Sequence, residues 1–220
     1  MNRKSILLFL SAVFSLGTAS WATSPKPYTL HYEAQLKSES FGNMGVRKLW
    51  LKGNKMRWEQ KSARLPIQVV KNDKGIFLIH PWNKVAAKYP AGSTRGNPRA
   101  LLPGPTGSPK AFLIQVKAVK HGRETINKQP CDVYSYTDTV TKRKCKLWVG
   151  VRSGKPVQLY MKGERAKRDT ITATYTTYEQ GANVSDKLFE LPKGYKIRPM
   201  PDRKLTSKAA SKKPNKRKSG

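Results

Sequence analysis

The chain has 220 residues, with 44 Lys and Arg against 13 Asp and Glu, a formal net charge of +31. That charge favours anionic partners such as lipid head groups, lipopolysaccharide, acidic glycans or nucleic acid, or else reflects a solvated surface. Two cysteines and three histidines at these spacings fit no zinc or haem motif.

Residues 1–22 have the three parts of a secretory signal peptide. Arg3 and Lys4 give a positive start, 6–16 is apolar, and Ser20 and Ala22 are small residues before a cut after Ala22. The apolar run is shorter than the ~20 residues that span a bilayer. No later stretch is long enough, so no transmembrane segment is expected after cleavage. A periplasmic or secreted mature chain follows.

The basic excess persists without the ends. Residues 203–220 hold eight basic residues and no acid, and 1–22 hold two, which leaves 34 basic residues against 13 acids in 23–202.

Alternation of apolar and polar residues marks half-buried strands. Tyr28, Leu30, Tyr32, Ala34 and Leu36 share one parity. Residues 45–52 and 54–60 predict a hairpin about Gly53-Asn54, with Met56 and Trp58 on one side and Lys55, Arg57 and Glu59 on the other. Strands over 66–71 and 75–79 flank the turn-forming run Asn72-Asp73-Lys74-Gly75. A short strand follows at 84–89.

Residues 90–109 break the pattern with nine Gly and Pro and predict a long loop with one helical turn near 98–102. Strands resume at 111–120, 131–137, 144–151, 156–162 and 169–178. Residues 181–192 close the domain, anchored by Phe189 and Leu191. The Pro/Lys/Ser-rich end, 203–220, has the composition of a disordered basic tail. About ten strands at this spacing predict an all-β antiparallel barrel or sandwich with little helix, one domain over 23–202.

Cys131 and Cys145 fall on consecutive predicted strands. An even pair in an oxidising compartment reads as a disulfide. A bridge over a loop of about 15 residues would contribute ~3 kcal/mol.

No enzymatic signature is present. His31, His80 and His121 read as surface or turn histidines, no Gly-x-Ser-x-Gly elbow occurs, and the glycine-rich stretch lacks a Gly-Lys-Ser/Thr ending. No metal or cofactor is expected. Large apolar residues on strands are either packing or the lining of a cavity for a lipid or acyl chain. The candidates for a lining are Trp50, Met56, Trp58, Phe77, Trp148 and Met161, with Arg57 near an acidic head group. Their side of the sheet is inferred from alternation: an outward orientation stays open for Trp50 and Trp148, and a register error of one residue would invert each assignment.

The order of short motifs carries a resemblance. Tyr-x-Leu-x-Tyr-x-Ala (28–34) is followed by Leu-Trp-Leu-Lys-Gly-Asn-Lys-Met-Arg-Trp-Glu (49–59) and His-Pro-Trp-Asn-Lys (80–84). Then come Gly-Arg-Glu-Thr-Ile-Asn-Lys-Gln-Pro-Cys-Asp-Val-Tyr (122–134), Lys-Leu-Trp-Val (146–149) and Phe-Glu-Leu-Pro-Lys-Gly-Tyr (189–195). Over about 28–197 the chain resembles the bacterial periplasmic lipoprotein carrier and receptor proteins and the related envelope-stress sensor, the LolA/LolB/RseB-like superfamily. The resemblance implies a strongly curved antiparallel sheet, an unclosed β-barrel, whose opening is plugged by helices. Residues 90–110 would have to supply them. It also implies carrying or sensing of lipoprotein acyl chains, as in lipoprotein sorting, with Arg57 the nearest match to a carrier arginine.

Two functions remain open on these residues. One is a non-catalytic envelope protein that binds a lipid or lipoprotein acyl chain on the concave face of its sheet. The other is a cationic protein that binds an anionic envelope surface (lipid, lipopolysaccharide or glycan) through its basic body and Lys/Arg tail. Nucleic acid is disfavoured, because export removes the chromosomal target and no nucleic-acid motif occurs.

Overall fold

The computed structural model describes residues 27–61, 66–163 and 170–200. The expected signal peptide and the basic tail 203–220 lie outside them.

Among these residues the chain forms twelve strands, most of them from alternating runs. The first six are β1 (Thr29–Ser38), β2 (Gly42–Lys52), β3 (Lys55–Lys61), β4 (Ile67–Asn72), β5 (Gly75–His80) and β6 (Val85–Tyr89). After a 3₁₀ turn (Thr94–Gly96) come two short helices, α1 (Pro98–Leu101) and α2 (Pro109–Gln115). The remaining strands are β7 (Val119–Ile126), β8 (Gln129–Thr137), β9 (Lys144–Gly150), β10 (Pro156–Met161), β11 (Ile171–Gln180) and β12 (Lys196–Pro199). A second 3₁₀ turn, Asp186–Phe189, precedes β12.

All twelve strands join one curved sheet in the order β12-β6-β5-β4-β3-β2-β1-β11-β10-β9-β8-β7. The sheet does not close. Every neighbouring pair is antiparallel except β6 with β12. Irregular registers at Glu33/Ala34, Leu36/Lys37, Lys120/Gly122 and Pro156/Gln158 add local bend, as bulges do. Turn chemistry sets the hairpins. Gly53 takes φ +55° between β2 and β3. Asn127 and Lys128 both sit in the left-handed region between β7 and β8, the geometry a two-residue hairpin turn requires.

Alternation gives the sheet two distinct faces. The concave face carries Leu30, Tyr32, Leu49, Met56, Leu147, Leu159 and Met161, all buried in one continuous core. Each such side chain contributes ~1.5–3 kcal/mol on burial. An unclosed sheet cannot cover this face by itself. The segment from Thr94 to Val116 does so, inserting Leu102, Phe112 and Val116 into the core.

Polar contacts fix that plug to the sheet. Tyr136 donates its hydroxyl proton to the Pro103 carbonyl. Tyr178 donates to the Gly107 carbonyl at 2.6 Å, with the Pro105 carbonyl 3.2 Å away. Arg99 of α1 pairs with Asp138, whose side chain is fully buried. The other Asp138 oxygen accepts from the backbone of Val140 and Thr141 and from the Thr141 hydroxyl, at 2.7 to 3.0 Å. A buried carboxylate with this many donors avoids the penalty of an unpaired charge.

A second segment crosses the convex face. Arg57 donates to the Leu188 carbonyl (3.1 Å) and Asn72 to the Phe189 carbonyl (2.7 Å). Lys52 and Lys55 hold Asp186. Phe189 is thereby buried, and the chain runs on to β12, whose four residues are all exposed.

The strand expected at 111–120 is instead α2 followed by the start of β7. Ser108 caps the helix by accepting from the Ala111 N–H, and Pro109 takes its first turn. Phe112 and Val116, four residues apart, bury on one side of it.

The expected disulfide is absent, and both cysteines are free and buried. Cys131 opposes Gly150 in the β8–β9 ladder, whereas Cys145 opposes Tyr136. Those positions are five residues apart along β8, about 17 Å at strand rise, and an odd offset puts the two thiols on opposite faces. Burial pushes the Cys145 thiol up to about 12, and the nearby Asp138 charge adds to it. Burial also raises Cys131. Thiolate is the reactive form, so neither cysteine of the native protein is expected to react with a thiol reagent near pH 8. Alkylation after denaturation without reductant is expected to add two groups by mass, and a mass showing none would restore the disulfide.

Candidate functional site

The inner face is mostly filled. Where α2 leans over β8 and β9, a cleft of about 470 Å³ remains, lined by Leu113, Ile114, Ala118, Tyr134, Val149 and Val151. That volume is within the ~300–1,000 Å³ of small-ligand sites. Leu113, Ala118, Tyr134 and Val149 also belong to or pack on the concave core, so the cleft extends the core outward. Ile114 is 70% exposed and Val151 38% exposed.

Three charged side chains complete the lining: Lys110, Lys117 and Asp132. Asp132 is held by Lys120 at 2.9 Å and Arg123 at 3.1 Å. The hydrogen bond from Lys120 and the lesser one from Arg123 lower its pKa against partial desolvation. Lys110 and Lys117 are exposed at the two ends of α2. Lys117 takes φ +52° and ends the helix, its N–H bonding to the Ile114 carbonyl and the following Ala118 N–H to the Leu113 carbonyl. This is the left-handed termination that more often uses glycine.

Deeper in the sheet, the arginine that points inward is Arg47. It is 9% exposed, donates to the Gln60 side-chain oxygen and lies with its guanidinium 5.3 Å from the Trp58 ring centroid. Burial lowers its pKa, while the phenols of Tyr32 and Tyr175 oppose that shift. The Trp58 indole N–H and the Tyr175 hydroxyl are buried without a hydrogen-bond partner among the described residues. Gly104 passes so close to Tyr175 that a β-carbon there would lie 2.3 Å from the hydroxyl oxygen and 3.3 Å from Leu159.

The residues expected to line a cavity do not come together. Met56, Trp58 and Met161 are on the concave face but packed within the filled core. Trp50 lies between Leu49 and Leu51, which take the concave face, and so points outward to stack on His31 at 5.2 Å. Phe77 opposes Val70 and Lys88 on the convex face. Trp148 joins Cys131, Val133 and Val157 in a separate cluster there and donates its indole N–H to Glu124. Arg57 also faces outward. It pairs with Glu59 and holds the strap over the convex face, which removes it from any head group inside.

The residues that sequence missed are those of α2 and Arg47. Ser108-Pro109 is a helix-start signal. Arg47 shares the parity of Leu49 and Leu51 and could be placed inside by that count alone.

A second hollow of about 490 Å³ lies beside the convex strap, lined by Lys55, Asn72, Asp73, Lys74, Asp186, Phe189 and neighbouring residues. Its charged walls of both signs suit a solvated groove better than an apolar ligand.

A scan against protein-family models finds no match, and a search of curated proteins finds none. Solved structures do match. Pseudomonas aeruginosa MucB, solved with MucA, aligns at 11% identity and a TM-score of 0.42 over 74% of this chain and 55% of that one. The present chain therefore spans little more than half of MucB. LprF from Mycobacterium bovis aligns at 12% identity and a TM-score of 0.40, covering 78% and 91%. The Mycobacterium tuberculosis lipoprotein LppX aligns at 10% and 0.42, covering 74% and 92%. The likeness is one of fold.

The plug contact at Gly104 is open to a direct check. Gly104→Ala is expected to lower stability to urea, because the new methyl meets the Tyr175 oxygen. Adding Tyr175→Phe removes that oxygen, and with it a buried polar atom that lacks a partner among the described residues, and is expected to recover most of the loss. A double variant no more stable than Gly104→Ala would refute this account.

Proposed function

We propose that the protein is a non-catalytic binder of a hydrophobic ligand, an acyl chain, seated in the cleft between α2 and the β8–β9 hairpin. The cleft itself is the observation that supports this reading. It is a hollow of about 470 Å³ with aliphatic and aromatic walls, continuous with the core, and with its charge confined to Lys110, Lys117 and a neutralised Asp132. Apolar walls with few polar groups at one side suit a chain whose polar end stays near water. Two lysines at the edge favour an acidic head group.

The hydroxyls of Tyr136 and Tyr178 are committed to plug carbonyls, and the Asp138 carboxylate to Arg99 and Thr141. These polar groups thus serve to hold structure. Reading residues 1–22 as an export signal assigns the binding to the cell envelope. A role in lipoprotein sorting or envelope sensing would be consistent with it.

The test is native mass spectrometry of protein purified from the periplasm, together with uptake of a fluorescent fatty acid. A co-purifying lipid and saturable uptake are expected. Ala118→Trp, which fills the cleft, is expected to weaken uptake about tenfold while circular dichroism stays unchanged; filling the pocket displaces a buried apolar segment. A wild-type protein with no lipid and no uptake would end the proposal.

A further inference from the structure

The cleft opens on a surface of unusual composition. Ile114 and Val151 border it with 70% and 38% of their surfaces exposed. The two segments around the opening, 109–123 and 150–155, contain Lys110, Lys117, Lys120, Arg123, Arg152 and Lys155, and no acidic residue. The one acid in the lining, Asp132, is already paired with Lys120 and Arg123. Glu124, the next residue along β7, projects to the other face, where it accepts from Trp148 and Lys146.

Protruding aliphatic side chains inside a ring of cations have a specific complement. An anionic phospholipid leaflet offers phosphates at the level of the Lys and Arg heads and an apolar interior a few ångströms deeper. Long basic side chains can keep their charge at that level while their stems lie against apolar surface. Basic residues near such a surface are attracted to it, and salt weakens the attraction. An acidic glycan would satisfy the cations and leave Ile114 and Val151 in water.

We infer that this rim is a membrane-docking face, with which the protein rests on an anionic leaflet so that the mouth of the cleft meets the lipid. This goes beyond binding of an acyl chain, because it names the surface from which the chain would enter. It requires contact by the rim itself, and not only by the basic residues of 203–220, which would attract anionic vesicles without help.

The experiment therefore reads the rim in the full mature chain. Both native cysteines are buried, so Ile114→Cys can carry a polarity-sensitive fluorophore alone. Phe41→Cys is the control. It is 73% exposed and lies in the β1–β2 turn, at the end of the strands opposite the β9–β10 turn that carries Val151. With vesicles of phosphatidylglycerol and phosphatidylcholine, a blue shift is expected at position 114 and none at 41. The shift should vanish with phosphatidylcholine alone and reverse in high salt. Ile114→Asp combined with Val151→Asp should weaken vesicle partition about tenfold, and Phe41→Asp should not.

A probe at 114 that stays silent while the protein still sediments with vesicles would overturn the inference, since another surface would be binding. No binding, equal shifts on neutral vesicles, or a response to lipopolysaccharide alone would also overturn it. Uptake of the fluorescent fatty acid from solution reads the cleft separately. Retained uptake with a silent rim defeats docking and leaves the acyl site standing, whereas a shifted rim with no uptake does the reverse.

Discussion

A sheet that curves without closing leaves its inner face in need of a cover, and the rest of this structure follows from how that need is met. Twelve strands give enough curvature to gather Tyr32, Trp58, Leu147 and Leu159 into one core, but not enough to seal it. The chain between β6 and β7 supplies the missing wall with Leu102, Phe112 and Val116. Short, Gly- and Pro-rich elements suit this task, because the backbone must lie close against tyrosine rings. A long regular helix would stand off from the sheet by the length of its side chains. The cleft beside α2 is what remains where that wall ends.

The two faces divide the work. The concave side holds apolar bulk and a few committed polar groups. The convex side carries a strap tied by Arg57, Asn72, Lys52 and Lys55 to backbone and to Asp186, and a separate small cluster around Trp148. Arg47 and Arg57 show how little the residue type decides. They lie on neighbouring strands, yet one is buried against Trp58 and the other is a clasp for the C-terminal segment.

Much of the architecture was legible in the sequence. The Leu30-Tyr32-Ala34-Leu36 alternation, the Gly53-Asn54 hairpin and the Asn72 to Gly75 turn read directly, because period and turn chemistry are local properties. The helical turn at 98–101 also fell within the expected loop. What could not be read was decided by partners distant in the chain. Phe112-Leu113-Ile114 suits a strand as well as a helix, and packing on Tyr136 settles it. Trp50 and Trp148 are as apolar as their neighbours, so hydrophobicity could not say which of each pair turns inward. The cysteines were placed on adjoining strands correctly, but their offset in the ladder, which determines whether they can meet, is invisible without the register. β12 has no alternation at all. It joins through backbone hydrogen bonds to β6, for which sequence holds no signature.

The place of β1 in the sheet has a consequence for how the chain reaches this state. β2 to β6 and β7 to β11 are each built from hairpins between neighbours, whose contacts are short in sequence. β1 joins the two halves, and its outer partner is the far end of the second: Leu30 aligns with Gln180. That seam closes a loop of nearly the whole domain, so the common core cannot form until residue 180 is available. Pairing across such a separation is slow relative to hairpin closure. A chain that emerges from its N-terminus holds β1 unpaired on one edge, with Leu30 and Tyr32 awaiting β11, until its last fifth has arrived.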